Sequence, residues 1–264
     1  MKNKFLIVTF ALAALIVSCR KEKRDTLGSS ISSDNSTAEN LFSDMFKVVD
    51  EVSSNTAGIR EDLCIDTIIV DTTSVPKTIL IDFGNDECTS NDGRIRKGKL
   101  NITYTGRYRA EGTVITITPE NYTVNGNLVQ GQKTITNLGL NSNDQLHFAI
   151  AVNGSVTAPG NAWTISWTAN RTRTWVEGQS TAMLWDDVYE ITGSGSGVNR
   201  NGVSYTSTIT QALRAKLNCP WIVSGSITLQ PQDYETRYID FGNGACDSGF
   251  TVTVDGETYQ LGSD

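Results

Sequence analysis

The sequence predicts an all-β fold, either an antiparallel sandwich or a long curved meander sheet, with one N-terminal amphipathic helix. Three observations carry this. From Leu63 onward apolar residues recur with a period of two, against Thr and Ser on the other side of each run, which is how a sheet with one buried and one wet face reads. Turn signals break the runs at short intervals: Asn91-Asp92-Gly93, Asn125-Gly126, Asn153-Gly154, Pro159-Gly160, Asn199 to Gly202 and Asp255-Gly256. Among them Asn-Gly and Asp-Gly accept the positive φ that tight hairpins need. No alternation of strand and helix patterns appears, so no parallel sheet is expected.

The first residues stand apart from that fold. Lys2 and Lys4 precede an apolar run, Phe5 to Val17, that is too short to span a membrane and ends in Ile16-Val17-Ser18-Cys19. This reads as a bacterial lipoprotein signal peptide over 1–18, with Cys19 as the lipidated residue and the outer membrane as the destination, on its periplasmic or its surface side. Ile16 and Ser18 depart mildly from the usual residues of such a signal. Loss of Lys2 and Lys4 with the leader takes the net charge from −7 to −9. Arg20, Lys21, Lys23 and Arg24 crowd beside the anchor, where they suit anionic headgroups, while the body behind them is acidic. An acidic body lacks the basic face that neutralises phosphates, which argues against nucleic acid as a partner.

Residues 19–36 read as a flexible tether, since Asp25 to Ser36 is rich in Ser, Asn, Asp and Thr with almost nothing apolar. An amphipathic helix is expected over 37–58. Ser36-Thr37-Ala38-Glu39 matches a capping box, and Leu41, Phe42, Met45, Phe46, Val49 and Val52 follow as one apolar stripe. Asp44, Lys47, Asp50 and Glu51 fall on the other side.

The β domain takes up 59–264. Leu100, Ile102 and Tyr104 alternate with Asn101, Thr103 and Thr105; Leu146, Phe148, Ile150 and Val152, and Trp163, Ile165 and Trp167, form similar rows. Within it an internal repeat spans 64–104 and 219–254: Ile81-Asp82-Phe83-Gly84-Asn85 before Cys88, and Ile239-Asp240-Phe241-Gly242-Asn243 before Cys246. In each copy a hairpin brings an upstream cysteine, Cys64 or Cys219, to the downstream one. Disulfides Cys64–Cys88 and Cys219–Cys246 follow, in keeping with an exported protein. No Cys-x-x-Cys occurs and His147 is the single histidine, so no zinc site is expected.

The two Ile-Asp-Phe-Gly…Cys stretches do not stand alone. Asp92-Gly93-Arg94-Ile95-Arg96-Lys97-Gly98, Tyr104-Thr105-Gly106, Asn121 to Gly126 and Asp187 to Gly193 accompany them. In these motifs the chain, from about Cys64 to Cys246, resembles a group of uncharacterised cell-envelope lipoproteins of Bacteroidota. The resemblance implies export and β structure, and carries no activity or site residue.

Chemistry is sparse. Asp-Phe-Gly occurs twice beside cysteines, without the other kinase motifs, and reads as a strand end and turn. Asp82, Asp86 and Glu87, or Asp240 and Asp247, offer carboxylates but match no calcium loop. His147 lies on the polar side of a strand with no nucleophile motif nearby. Asp186-Asp187 beside Trp185 is the best local carboxylate pair for a glycosidase, yet neighbours on a strand point to opposite faces. Trp163 and Trp167 read as core. Arg171, Arg173 and Trp175 read as an exposed contact face, a platform of the kind that stacks on sugars or peptides. The expected function is a non-enzymatic, lipid-anchored envelope protein with a structural, adhesion or binding role. The alternative is a glycan-binding module or, further off, a glycoside hydrolase. No cofactor and no metal are expected; the partners are a membrane through the anchor and a glycan or envelope protein.

Overall fold

A computed structural model describes residues 18–53 and 63–262. The signal peptide therefore lies, apart from Ser18, outside the described residues, as do residues 54–58 of the expected helix. Thirteen strands form one sheet in which each pairs antiparallel with the next. They are β1 (Thr67–Asp71), β2 (Lys77–Asp82), β3 (Arg96–Tyr104), β4 (Val114–Val124), β5 (Asn127–Leu140), β6 (Leu146–Thr157) and β7 (Thr164–Glu177). Then follow β8 (Val188–Val198), β9 (Ser204–Lys216), β10 (Ile222–Pro231), β11 (Arg237–Asn243), β12 (Phe250–Val254) and β13 (Glu257–Leu261). Of the two architectures the sequence allowed, this is the meander. β1 and β13 do not pair, so the sheet is open.

The sheet curls around a helix, α1 (Ser18–Ser53). Side chains or backbone of α1 meet β3 and β4 through Asp44, β5 through the Phe42 carbonyl, β7 through Glu39 and Phe42, and β8 through Phe46. Two expectations fail here. The stretch 19–36 is helical rather than a tether, and from Ile31 to Ser36 it is largely buried. Ser36 is thus inside the helix, not its cap, and Glu39 pairs with Arg171 instead of closing a capping box. Ser, Asn and Asp are weak helix formers, but tertiary burial outweighs propensity where the polar groups find partners. Asp34 receives the Arg200 backbone N–H at 2.9 Å and its Nε at 2.8 Å, and Ser30 Oγ receives Asn201 Nδ2 at 3.0 Å. Nor is α1 wet on one side. Asp44, Asp50 and Glu51 are buried along with the apolar stripe; Ser33, Thr37, Asn40, Ser43 and Lys47, spaced by three and four, are its half-buried side.

The strand periodicity sorts as expected. Along β7, Ile165, Trp167 and Ala169 point inward, while Thr164, Ser166 and Thr168 point outward. Outward Thr and Ser join across strands, Thr168 to Ser196 at 2.8 Å and Thr210 to Ser226 at 2.9 Å. Asn153-Gly154 is not a turn: it sits inside β6, where Gly154 faces Gly131 of β5. A Cβ on Gly154 would lie 2.6 Å from Phe42 Cζ, so glycine there lets the helix approach the sheet backbone. Pro119, which cannot donate, sits in β4 where the ladder to β5 is interrupted between Ile117 and Thr123.

Both Ile-Asp-Phe-Gly stretches adopt the same local geometry. Ile81 and Ile239 are fully buried, and Phe83 and Phe241 point inward beside them. Asp82 Oδ1 accepts the Gly84 N–H at 2.9 Å, as Asp240 Oδ1 accepts that of Gly242 at 2.8 Å. Gly84 and Gly242 have φ of 69° and 85°, values that favour glycine. Cys64 pairs with Cys88 and Cys219 with Cys246, their Cα atoms 5.9 and 5.8 Å apart.

Candidate functional site

The interior of the sheet is charged. Arg94 and Arg96 share inward parity with Leu100 and Ile102 on β3, Lys133 with Val129 and Ile135 on β5, and Arg171 and Arg173 with Ile165 and Trp167 on β7. Each meets an acid, a carbonyl or a ring of the helix. Asp44 is the hub: Arg96 Nη2 reaches it at 2.6 Å and Nε at 3.1 Å, Arg94 Nη1 donates to it, and the Tyr122 hydroxyl lies at 3.1 Å. Burial would raise the Asp44 carboxyl, but the two guanidiniums more than offset this and hold it well below the usual carboxylate range. Lys133 Nζ donates to the Phe42 carbonyl at 2.7 Å; burial and then the nearby Arg173 lower this amine to about 7.

Arg171, Arg173 and Trp175 are therefore not an exposed face. All three are at most 5% exposed. Arg171 pairs with Glu39, and the Arg173 guanidinium lies 3.4 Å above the Phe46 ring and donates to the Tyr108 hydroxyl at 2.7 Å. Trp175 packs on Tyr189 at 5.4 Å, with Arg109 over it at 4.5 Å. The reason is parity: the odd-numbered positions from 165 to 175 lie on one face, and the polar residues continue the core row because the helix opposite them is polar. Trp167 is core, stacked on Phe42 at 5.4 Å; Trp163 is partly buried under Arg200.

Asp186 and Asp187 do point to opposite sides, Asp186 outward and Asp187 to 1% exposure. Inside, Asp187 comes near Asp50 of α1. Burial and then Asp50 and Asp186 raise the Asp187 carboxyl to about 7, and burial, against Arg173 and Arg109, raises Asp50 to about 6. Both acids are sealed in the core rather than set in a cleft. The carboxylates weighed against calcium are used locally: Asp82 pairs with Lys99 at 3.0 Å and Asp247 accepts the Gly249 N–H. Among the described residues no group of three or more His, Cys, Asp or Glu is placed to hold a metal ion. His147 Nδ1 lies 3.0 Å from the Gly139 carbonyl, a strand contact.

The arrangement most suited to a ligand is a pocket of about 350 Å³ at the end of the sheet where α1 stops. One wall is the last helical turns, with Lys47, Val48 and Glu51. The disulfide-bonded ends of the two hairpins form the others: Leu63, Asn91, Asp92 and Arg96 on one side, Leu217 to Pro220 with Cys219 on the other. Trp185, 49% exposed in the 3-10 turn Leu184–Asp186, stands at its edge. Lys47 and Glu51, four residues apart, share a helix face. Lys47 Nζ donates to the carbonyls of Lys216, at 3.2 Å, and Cys219. Burial and then Arg94 lower Lys47 to about 8; burial, against Arg96 and Lys47, raises Glu51 to about 7. Asp92 accepts Arg96 Nη1 at 3.1 Å. Donors, acceptors and one exposed indole thus converge in a space fit for a small polar molecule. A wider depression on the outer sheet face is lined mainly by hydroxyls such as Ser166, Thr168 and Thr206, and lacks charge.

Sequence reasoning missed this pocket because its residues come from five separate segments. The signal that points to it is the set of cations at apolar parity, which demands buried partners, most of them supplied by α1. Comparison with family models, with characterised proteins and with solved structures finds no match for this chain.

Proposed function

We propose that this chain is a non-enzymatic, lipid-anchored protein of the bacterial outer membrane whose β body holds a binding pocket for a small sugar. The observation that carries the reading is the pocket itself: a carboxyl, an amine and a guanidinium beside an exposed tryptophan suit the hydroxyls and the apolar ring face of a sugar. Binding is favoured over hydrolysis. A glycosidase needs two available carboxyl groups facing one cleft; of the two that line this pocket Asp92 is committed to Arg96, which leaves Glu51 alone, while Asp50 and Asp187 are buried elsewhere. The anchor reading is supported by the leader pattern, Lys2 and Lys4 before an apolar run that ends at Cys19.

The test has two arms. Full-length protein is titrated with a panel of mono- and disaccharides by ligand-observed NMR. Binding by the native protein and a loss of about tenfold or more in Trp185→Ala, with unchanged melting temperature, are expected from losing a stacking aromatic worth about 1–3 kcal/mol. Absence of binding across the panel contradicts the pocket reading. Separately, mass spectrometry of the native protein should find acyl chains on Cys19; an unmodified, freely soluble protein contradicts the anchor.

A further inference from the structure

The two open edges of the sheet differ in a way that bears on association. β13 is Glu257-Thr258-Tyr259-Gln260-Leu261, a polar strand. β1 is Thr67-Ile68-Ile69-Val70-Asp71: no charge before its last residue, no proline, and an unbroken register to β2. Neighbours on a strand face opposite ways, yet Ile69 and Val70 are both 55% exposed, so β1 shows apolar surface to water on both faces. Among the described residues nothing pairs its outer edge. Natural sheets blunt such edges with charges, prolines or bulges, and β1 has none of these within its apolar run.

We propose that β1 is the seam of a two-fold dimer, pairing antiparallel with β1 of a second copy. The strand is self-complementary. A two-fold axis at Ile69 sets Ile69 against its own copy, Ile68 against Val70, and Thr67 against Asp71, so apolar side chains meet on both faces and the one charge faces a hydroxyl. The unused backbone amides and carbonyls of each edge supply the hydrogen bonds, and the two sheets become continuous. The polar β13 has an open backbone edge too but no comparable apolar side chains to set against Ile68, Ile69 and Val70, which favours a closed dimer over open-ended addition of β1 to β13.

The test is sedimentation equilibrium of the full chain in density-matched detergent. The native protein should be dimeric. Ile69→Lys sets two like charges opposite each other and should give monomer with an unchanged melting temperature, since the residue is exposed. Ile69→Glu should do the same, and an equimolar mixture of the two variants should recover dimers, because position 69 meets itself. Glu257→Lys on β13 should leave the dimer intact. A monomeric native protein, a dimer indifferent to Ile69→Lys, open-ended polymers, or a mixture that stays monomeric each overturns the proposal.

Discussion

Arg173 marks the limit of reading polarity along a strand. It follows Ile165, Trp167, Ala169 and Arg171 at a spacing of two, and the structure keeps all of them on the inner face. The alternation was legible. What the inward Arg residues meet was not, because that depends on Glu39 and on the rings of Phe46 and Tyr189, remote in sequence. Burial at Trp175 makes a direct prediction: Trp175→Ala should cost about 3–5 kcal/mol of stability through an unfilled cavity, measured by urea unfolding, whereas a cost under about 0.5 kcal/mol would return it to the surface. Asp44→Asn should be as severe. It removes the charge facing Arg94 and Arg96, both buried, and breaking one partner of a buried ion pair costs about 3–5 kcal/mol. A stable Asp44→Asn protein would show that water reaches these guanidiniums.

At the level of elements, the hairpins were readable and the first half of the helix was not. Asp82 and Asp240 each cap a following glycine, and the pairing of Cys64 with Cys88 and Cys219 with Cys246 follows from hairpins that close on themselves. Such features are local, so sequence carries them. Helix between Ser30 and Ser36 depends instead on distant partners such as Arg200 for Asp34. The pocket residues Lys47, Glu51, Asp92, Arg96 and Trp185 are brought together only when α1 is seated between the two hairpins. The disulfides close separations of 24 and 27 residues, so replacing either pair by serine should lower stability by roughly 3 kcal/mol in the chain-entropy account. Cys219 lines the pocket, so loss of its bond to Cys246 should also weaken sugar binding; unfolding midpoints and titrations of the two double variants check both statements.

Over the whole molecule, enclosing a charged helix gives an unusual dependence on pH. Asp50, Asp187 and Glu51 are raised in the folded state to about 6, 7 and 7 from ordinary values of 3.8, 3.8 and 4.5. The folded protein therefore binds more protons than the unfolded chain between about pH 4 and 7, and stability falls as pH rises through that window. Lys133 and Lys47, lowered to about 7 and 8 from 10.5, act in the opposite sense above it: the unfolded chain holds more protons there, and stability recovers as pH rises toward about 10. Asp44, held low by its arginines, takes stability away below about pH 4. Urea midpoints should pass through a maximum near pH 4–5 and a minimum near pH 7, and Asp187→Asn should flatten the limb between them. A midpoint that rises steadily from pH 4 to 7 would contradict the buried carboxyls.

All of this rests on α1 being the core around which the sheet closes, from Ile31 through Val52. Native-state hydrogen exchange on the full-length protein tests that most directly. The account predicts that amides of Ile31 to Ser36 exchange as slowly as those of Leu41 to Val49, at rates set by global unfolding. Free exchange at 31–36, with protection beginning only beyond Thr37, would restore a flexible tether and contradict the enclosed helix.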